Sequence, residues 1–529
     1  MKLINDFYKL IVRNKSSTVS LDYIFGTRED LWKGVGSFKD IPGPKGLPFI
    51  GNSWRFIPYI GQYKVEHLDK VSKALYEEYG DIVKVDGLLG KPDMLFIFNP
   101  DEIENVFRQE DSMPLRPSMP SLNYYKHVYR KDFFGEEAGV IAVHGENWQI
   151  FRSKVNKILL QPRIAKMYMK PIEKAAQEFV ERIEKIKDLN QEVPENFLNE
   201  VHKWSLESIA SVALDVQLGC LQENYPEDTQ ILIDAVNEFF VNVPILELKT
   251  PFWTFMKNPM YYPTFKRYIE ALETIRKICL KYINKSLENA SLKQNQEPSV
   301  LQRVLKMDNN IKTACILALD MFLVGIDTTS NSVASILYQL ALNPEKQQIL
   351  YDEIKKEMGD NKDLNEQRIE NLTYLKACIK EAMRKYPVVI GNGRTTKKDC
   401  IIGGYHIPKG VHIIFPHSTI CNTEKFFEKS DEFLPERFLK SCPIRLNSKE
   451  AEDKNDLNPN NHHPFASLPF GYGKRMCLGR RFAELEIQTV IAKVIQSYKV
   501  EYHHKLLDYH VHPMYTPNGP LKLKFIKRN

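Results

Sequence analysis

The sequence predicts a mainly α-helical fold with a smaller β region, on three observations. Apolar residues recur at helical spacing over Arg163–Leu189, Pro194–Leu218 and Ile311–Leu342, the last being the longest uninterrupted pattern in the chain. Strand signals are few and short, chiefly Asp81–Val85 and Met94–Phe98, joined across Gly87–Pro92. The 529 residues are 43% hydrophobic with no long low-complexity tract, enough to build a large core.

In chain order, Ile41–Gly51 (IPGPKGLPFIG) is a proline/glycine hinge that marks the start of the folded body. Lys64–Tyr79 is helical in pattern and precedes the two strands, whereas Gln109–Tyr129 is proline-broken and aromatic and reads as a loop. His144–Leu160 is a helix in which Trp148 and Arg152 stand i, i+4 on one face. An indole N–H beside a guanidinium makes a clamp for a carboxylate. Between about Ile231 and Tyr268 the chain carries Phe239, Phe240, Phe252, Trp253, Phe255, Tyr261, Tyr262 and Phe265. Such rings suit a surface lying on a membrane or the roof of an apolar pocket, while ordinary core packing would absorb about half of them. Asn343-Pro344 starts a further helix, with Asn as its cap. The next helix carries Glu381 and Arg384 at i, i+3, and Lys376 and Lys380 about 40° apart on its surface. Cys442–His463 is polar and reads as a surface loop.

The charge balance excludes one class of partner. Seventy-three basic residues face 67 acidic ones, a net charge of +6, and no nucleic-acid motif is present. The eight cysteines, at 220, 279, 315, 378, 400, 421, 442 and 477, are too dispersed for a zinc pair or a disulfide framework, which favours a reducing compartment. No apolar run approaches the ~20 residues that span a bilayer. The first 20 residues are basic, amphipathic, hydroxyl-rich and nearly free of acids, the pattern of a mitochondrial transit peptide. We therefore expect a leader over residues 1–40 and one catalytic domain over 41–529, the alternative being a frayed N-terminal helix.

Two stretches carry chemistry. Phe470–Gly479 places Phe470, Gly473, Arg475, Cys477 and Gly479 at the spacing Phe-x-x-Gly-x-Arg-x-Cys-x-Gly, immediately before a helical pattern at Arg480–Val494. Helix-terminal N–H groups and a neighbouring Arg favour a thiolate, the form that ligates iron. Gly473 and Gly479 would let the backbone turn tightly and approach a flat cofactor. The second stretch is Val324-Gly325-Ile326-Asp327-Thr328-Thr329, in the middle of the longest helix. Glycine and Thr weaken a helix there, and the Thr328 hydroxyl can take up the Val324 carbonyl one turn back and bend it. An acid and an alcohol on a locally opened helix suit dioxygen binding and proton transfer.

The cysteine stretch resembles the haem-ligating loop of cytochrome P450 enzymes at all five fixed positions, a coincidence expected in on the order of one chain in ten thousand. The Asp327 stretch resembles the oxygen-activation motif of that family, except that Val324 stands where Ala or Gly is usual. The resemblance covers about Ile41 to Lys527 and looks most like mitochondrial-type members of insects. It implies one mainly α fold with a smaller β region enclosing a buried haem b. Cys477 is then the proximal iron ligand, Trp148, Arg152, Arg394 and Arg475 face the propionates, and Phe470 belongs to the ligand loop. It further implies proton delivery by Asp327 and Thr328, and a structural network of Glu381, Arg384 and Arg437. Val388–Ile390, Tyr515 and Thr516 would line the substrate pocket.

Lys376, Lys380, Arg480 and Arg481 resemble the ferredoxin-docking residues of mitochondrial members. The implied reaction is monooxygenation, inserting one atom of O2 into a small apolar substrate: a steroid, a lipid or a xenobiotic. Electrons would come from an adrenodoxin-like ferredoxin and its reductase, so that NADPH is used only indirectly. Peripheral membrane contact on the matrix side of the mitochondrial inner membrane follows, the alternative being the endoplasmic reticulum membrane. Two rivals use the same cysteine: a haem-thiolate isomerase or dehydratase that consumes no O2, which the Asp-Thr pair disfavours, and a non-catalytic haem carrier or sensor.

Overall fold

The computed structural model describes residues 34–116, 119–137, 139–290, 297–359, 363–439, 462–511 and 514–528. The expected leader therefore lies almost wholly outside the described residues, as does most of the expected loop at Cys442–His463.

Five helices position the site: α1 (Gly145–Leu159), α2 (Phe197–Leu214), α3 (Ile311–Leu342), α4 (Thr373–Lys385) and α5 (Arg480–Ser497). The longest, α3, has the bounds its periodicity predicts. Asn310 caps it, its side chain accepting from the N–H groups of Lys312 and Thr313. Between Thr313 and Ala341 every α3 residue is buried except Met321, Val324, Gly325 and Thr328. Met321, Val324 and Thr328 fall at i, i+3 and i+7, so one stripe of an otherwise submerged helix borders open space, whereas Gly325 faces Ile209 of α2. Helix α2 is likewise buried on nearly all sides and packs along α3.

The β region is a four-stranded sheet of β1 (Ile82–Val85), β2 (Met94–Ile97), β3 (Asn392–Thr395) and β4 (His412–Phe415), in the order β1-β2-β4-β3. β1 and β2 are antiparallel, β2 and β4 parallel, and β4 and β3 antiparallel, with Arg394 opposite Ile413. A separate hairpin pairs β5 (Asp508–Val511) with β6 (Tyr515–Asn518). The helices share one large apolar core, and the four-stranded sheet anchors a second one around Leu95, Ile97, Phe107 and Phe415. The fold is that of the expected class.

Several local expectations are corrected. Arg163–Leu189 is two helices, Pro162–Lys166 and Met169–Ile186. Tyr168 at the break donates its hydroxyl to the Pro298 carbonyl and accepts from Arg303, tertiary bonds that outweigh local periodicity. Gln109–Tyr129 is not all loop, since Pro120–Tyr124 and Tyr125–Tyr129 are short helical turns. Asn343 does not cap the following helix, because its side-chain amide donates to Gln339 O of the preceding one at 2.8 Å. The α3 helix also runs unbroken through Gly325–Thr329, with no opened turn. Of the eight rings between Phe239 and Phe265, Phe239, Phe240, Trp253 and Phe265 are buried in the core, and Phe252, Phe255 and Tyr261 are exposed.

Candidate functional site

The loop before α5 is closed by its own backbone. Cys477 N–H donates to Phe470 O at 2.8 Å and Met476 N–H to Gly473 O at 3.1 Å. Gly471 and Gly473, with φ of 68° and 72°, supply the left-handed turns. Gly479 does not: as the residue before α5 it has an ordinary φ of −82°, and a Cβ there would meet no protein atom within 4 Å. Among the described residues seven cysteines are free thiols, and Cys477 is the exposed one. Burial nevertheless pushes its thiol up, more strongly than the Gly479 N–H and the guanidinia of Arg152, Arg116 and Arg480 pull it down. The expected preference for thiolate is thus outweighed by desolvation in the protein alone. A sulfur that is accessible yet hemmed in by protein mass lies on the wall of an internal space.

Guanidinium groups converge on this cysteine. Arg152, on α1, donates from Nη2 to Met476 O at 2.8 Å, tying it to the residue before Cys477. Arg475 donates to Pro114 O at 3.1 Å and Val143 O at 3.0 Å, and its guanidinium lies 3.6 Å from the centroid of Trp148. Trp148 therefore stacks under Arg475 as well as sharing a helix face with Arg152. Arg394, from β3, pairs closely with Glu110 and donates to Gly393 O at 2.8 Å. A fourth guanidinium, Arg116, comes from the proline-flanked segment read as loop, and sequence reasoning missed it. So were Glu110 and His144.

The electrostatics of this group are lopsided. Burial, together with Arg116, Arg394 and Arg152, lowers Arg475 to about 9. Burial likewise lowers Arg152 to about 10 and Arg116 to about 10, the latter helped by Arg394. All remain cations at neutral pH. Burial raises Glu110 despite Arg394, and holds His144 down at about 4, with Arg475 and Arg116 adding to the effect. Glu110 thus sits among four guanidinia but of these is ion-paired with Arg394 alone. Arg116 Nε, Arg152 Nε and Arg475 Nη2 are buried with no hydrogen-bond partner. Orphaned buried donors and mutually repelling cations call for a ligand carrying more than one negative charge. A haem, with two propionates and an iron that a thiolate can ligate, fits that donor set.

On α3, the Thr328 hydroxyl donates to Val324 O at 2.8 Å, the contact expected from the spacing. Asp327 is buried and turned the other way: its Oδ1 lies 3.0 Å from Nε2 of His202 on α2. Nothing in the spacing of α3 could have identified His202. Val388 and Tyr515, expected at the pocket, meet through Tyr515 N–H donating to Val388 O at 2.8 Å.

Glu381, Arg384 and Arg437 form one buried unit. Arg384 grips both Glu381 oxygens at 2.8 and 2.9 Å, and Arg437 Nε approaches the same carboxylate at 3.1 Å. The remaining donors are taken by the carbonyls of Cys421, Ser430, Glu428 and Lys429. On the surface of α4, Lys380 is exposed while Lys376 is half-buried and donates to Glu370 O. Arg480 and Arg481 both pair with Glu484, which removes part of their charge. Helix α4 packs on α5, so these four cations belong to neighbouring helices.

The family model for cytochrome P450 matches residues 41–525. The chain is 46% identical over 505 residues to "Probable cytochrome P450 49a1" of Drosophila melanogaster, covering 94% of this chain and 84% of that protein. It is 44% identical over 519 residues to "Probable cytochrome P450 301a1, mitochondrial" of the same fly, covering 97% and 91%. It is 37% identical over 477 residues to "Cytochrome P450 CYP12A2" of Musca domestica, covering 88% and 87%.

Proposed function

The chain belongs to the cytochrome P450 family of haem-thiolate monooxygenases, and we propose that Cys477 holds its haem iron while a ferredoxin supplies its electrons. When bound, the haem supplies the activation of O2. The observation that carries the assignment is the cluster of buried Arg152, Arg394 and Arg475 with half-buried Arg116 around an accessible Cys477, with three guanidinium nitrogens unpartnered. Arg116, Arg152 and Arg475 would hold the propionates, joined by Arg394, which is ion-paired with Glu110. Trp148 supports Arg475 from below.

The chain's own side chains divide the remaining work. The stripe of Met321, Val324 and Thr328 on α3 borders the reaction space, and the Thr328 hydroxyl, donating to Val324 O, keeps a lone pair free to accept. Asp327 feeds protons to that face. The substrate is a small apolar molecule, steroid-like, lipid or foreign, held against Val388, Ile390 and Thr516. Retention of both Asp327 and Thr328 favours this reading over an isomerase or a haem carrier.

Location follows from two features. Relatives that carry "mitochondrial" in their names support import and electron supply by an adrenodoxin-like ferredoxin and its reductase, with NADPH used only by the latter. Among the described residues no helix is long and apolar enough to cross a membrane. Phe49, Tyr59 and Ile60 are exposed, and so are Leu89, Phe252, Phe255 and Tyr261. These segments adjoin, since Leu89 N–H donates to Ser53 Oγ at 2.8 Å and a Cβ on Gly90 would touch Pro251 and Phe255. One apolar face of this kind suits shallow insertion into the matrix side of the inner membrane. Reconstitution tests the electron route. Ferredoxin and its reductase should support turnover, and Lys380→Glu should raise the ferredoxin concentration for half-maximal rate about tenfold. Equal turnover with a diflavin reductase would contradict it.

A further inference from the structure

We propose that His202 is a positioning residue that hands protons to Asp327, which rests on the monooxygenase reading above. Asp327 is 6% exposed and His202 5%, so neither carboxylate nor imidazole meets bulk water freely. Their contact, Nε2 to Oδ1 at 3.0 Å, joins α2 to α3 across 125 residues of sequence.

The packing of the two helices makes this contact and no looser one. At Gly325 an added Cβ would stand 2.8 Å from Cδ1 of Ile209, so glycine here leaves room for that α2 side chain to seat against α3. Ser205 Oγ donates to Ile326 O at 3.1 Å, one turn along α2 from His202, and fixes the axial register. Asn331 Nδ2 donates to Asp327 O at 2.8 Å and Ser330 Oγ to Ile326 O at 2.8 Å, holding the backbone of the acid from its own helix. The glycine of the Gly325–Thr328 stretch thus serves helix contact and, through it, the partner of the acid.

The chemistry follows from the direction of each side chain. Thr328 belongs to the α3 stripe that borders the open space, whereas Asp327, one residue away, is turned to α2. An acid that releases a proton to the Thr328 side becomes a carboxylate inside the protein, and the group in contact with it is an imidazole. Histidine is the side chain suited to taking and giving a proton near neutrality. In the step proposed, Nδ1 of His202 takes a proton from water as its Nε2 proton passes to Asp327 Oδ1 and Asp327 gives up a proton towards Thr328. The imidazole stays neutral throughout, each proton delivered is matched by one taken up, and no electrons move.

His202→Gln tests this in the full-length haem enzyme, because glutamine can still donate a hydrogen bond to Asp327 but cannot relay a proton. The variant should keep the wild-type melting temperature and ferrous–carbon monoxide spectrum. It should nevertheless divert reducing equivalents from product to hydrogen peroxide about tenfold more often, with an enlarged solvent deuterium isotope effect on turnover. A second readout needs no turnover. With histidine ring nitrogens labelled with nitrogen-15 in the diamagnetic carbon monoxide form, Asp327→Asn should move one imidazole, the one whose signals vanish in His202→Gln. Wild-type coupling and isotope effect in His202→Gln would overturn the proposal, as would unmoved imidazole signals in Asp327→Asn. A wild-type protein lacking the thiolate-type spectrum would instead overturn the underlying reading.

Discussion

Thr328 Oγ1 donates to Val324 O at 2.8 Å within a helix that is hydrogen-bonded on both sides of the contact. The hydroxyl proton is thereby committed to the backbone, leaving the oxygen to accept from a donor in the open space. Thr328→Ala removes that acceptor without disturbing the helix, since alanine is the better helix former. The variant should fold normally and consume reducing equivalents at a similar rate. Most should leave as hydrogen peroxide, with product falling about tenfold or more. Coupling equal to wild type, measured as product formed per reducing equivalent, would remove Thr328 from proton delivery.

Glu381 is wholly buried and shared by Arg384 and Arg437, with Leu434 N–H also donating to it at 2.9 Å. Arg437→Ala leaves part of that carboxylate uncompensated and should destabilise the fold by ~3–5 kcal/mol. The exposed pair of Lys425 and Asp81 provides the contrast: Lys425→Ala should cost under ~1 kcal/mol. Denaturant midpoints of the two variants check both figures, and equal losses would contradict the assigned difference.

Much of this was legible in the sequence, and the failures share one cause. The span of α3, both early strands, the cysteine loop and the Thr328–Val324 bond follow from local spacing, because each is decided within a few residues. Arg116 was missed because Pro114 and the surrounding turn residues carry no periodicity to place a side chain. His202 was missed because a helix pattern tells which face is buried, not which residue of another helix it will meet. The split at Met167–Tyr168 likewise depends on Pro298 and Arg303, more than a hundred residues away. Gly479 was misread as a turn residue, although Gly471 and Gly473 take that part.

Glu486, buried on α5 with Ser208 Oγ donating to it at 2.7 Å, has its carboxyl pushed up to about 7 by burial. An unfolded glutamate releases its proton near ~4.3. Between that pH and about 7 the native state keeps a proton that the unfolded state has lost, so this group makes the fold less stable as pH rises through the window. Glu486→Gln removes the effect. Its melting temperature should match wild type at pH 4 and exceed it above pH 7, where the gain in stability reaches up to ~4 kcal/mol. Parallel curves of melting temperature against pH would contradict the assignment.

One spectrum tests whether Cys477, as thiolate, is the iron ligand. Reduced protein under carbon monoxide should show the red-shifted Soret band of thiolate-ligated haem. Cys477→His should lose that band while retaining haem, because Arg116, Arg152 and Arg475 still hold its propionates. A folded wild-type protein without the band, or a Cys477→His variant that keeps it, would contradict the account.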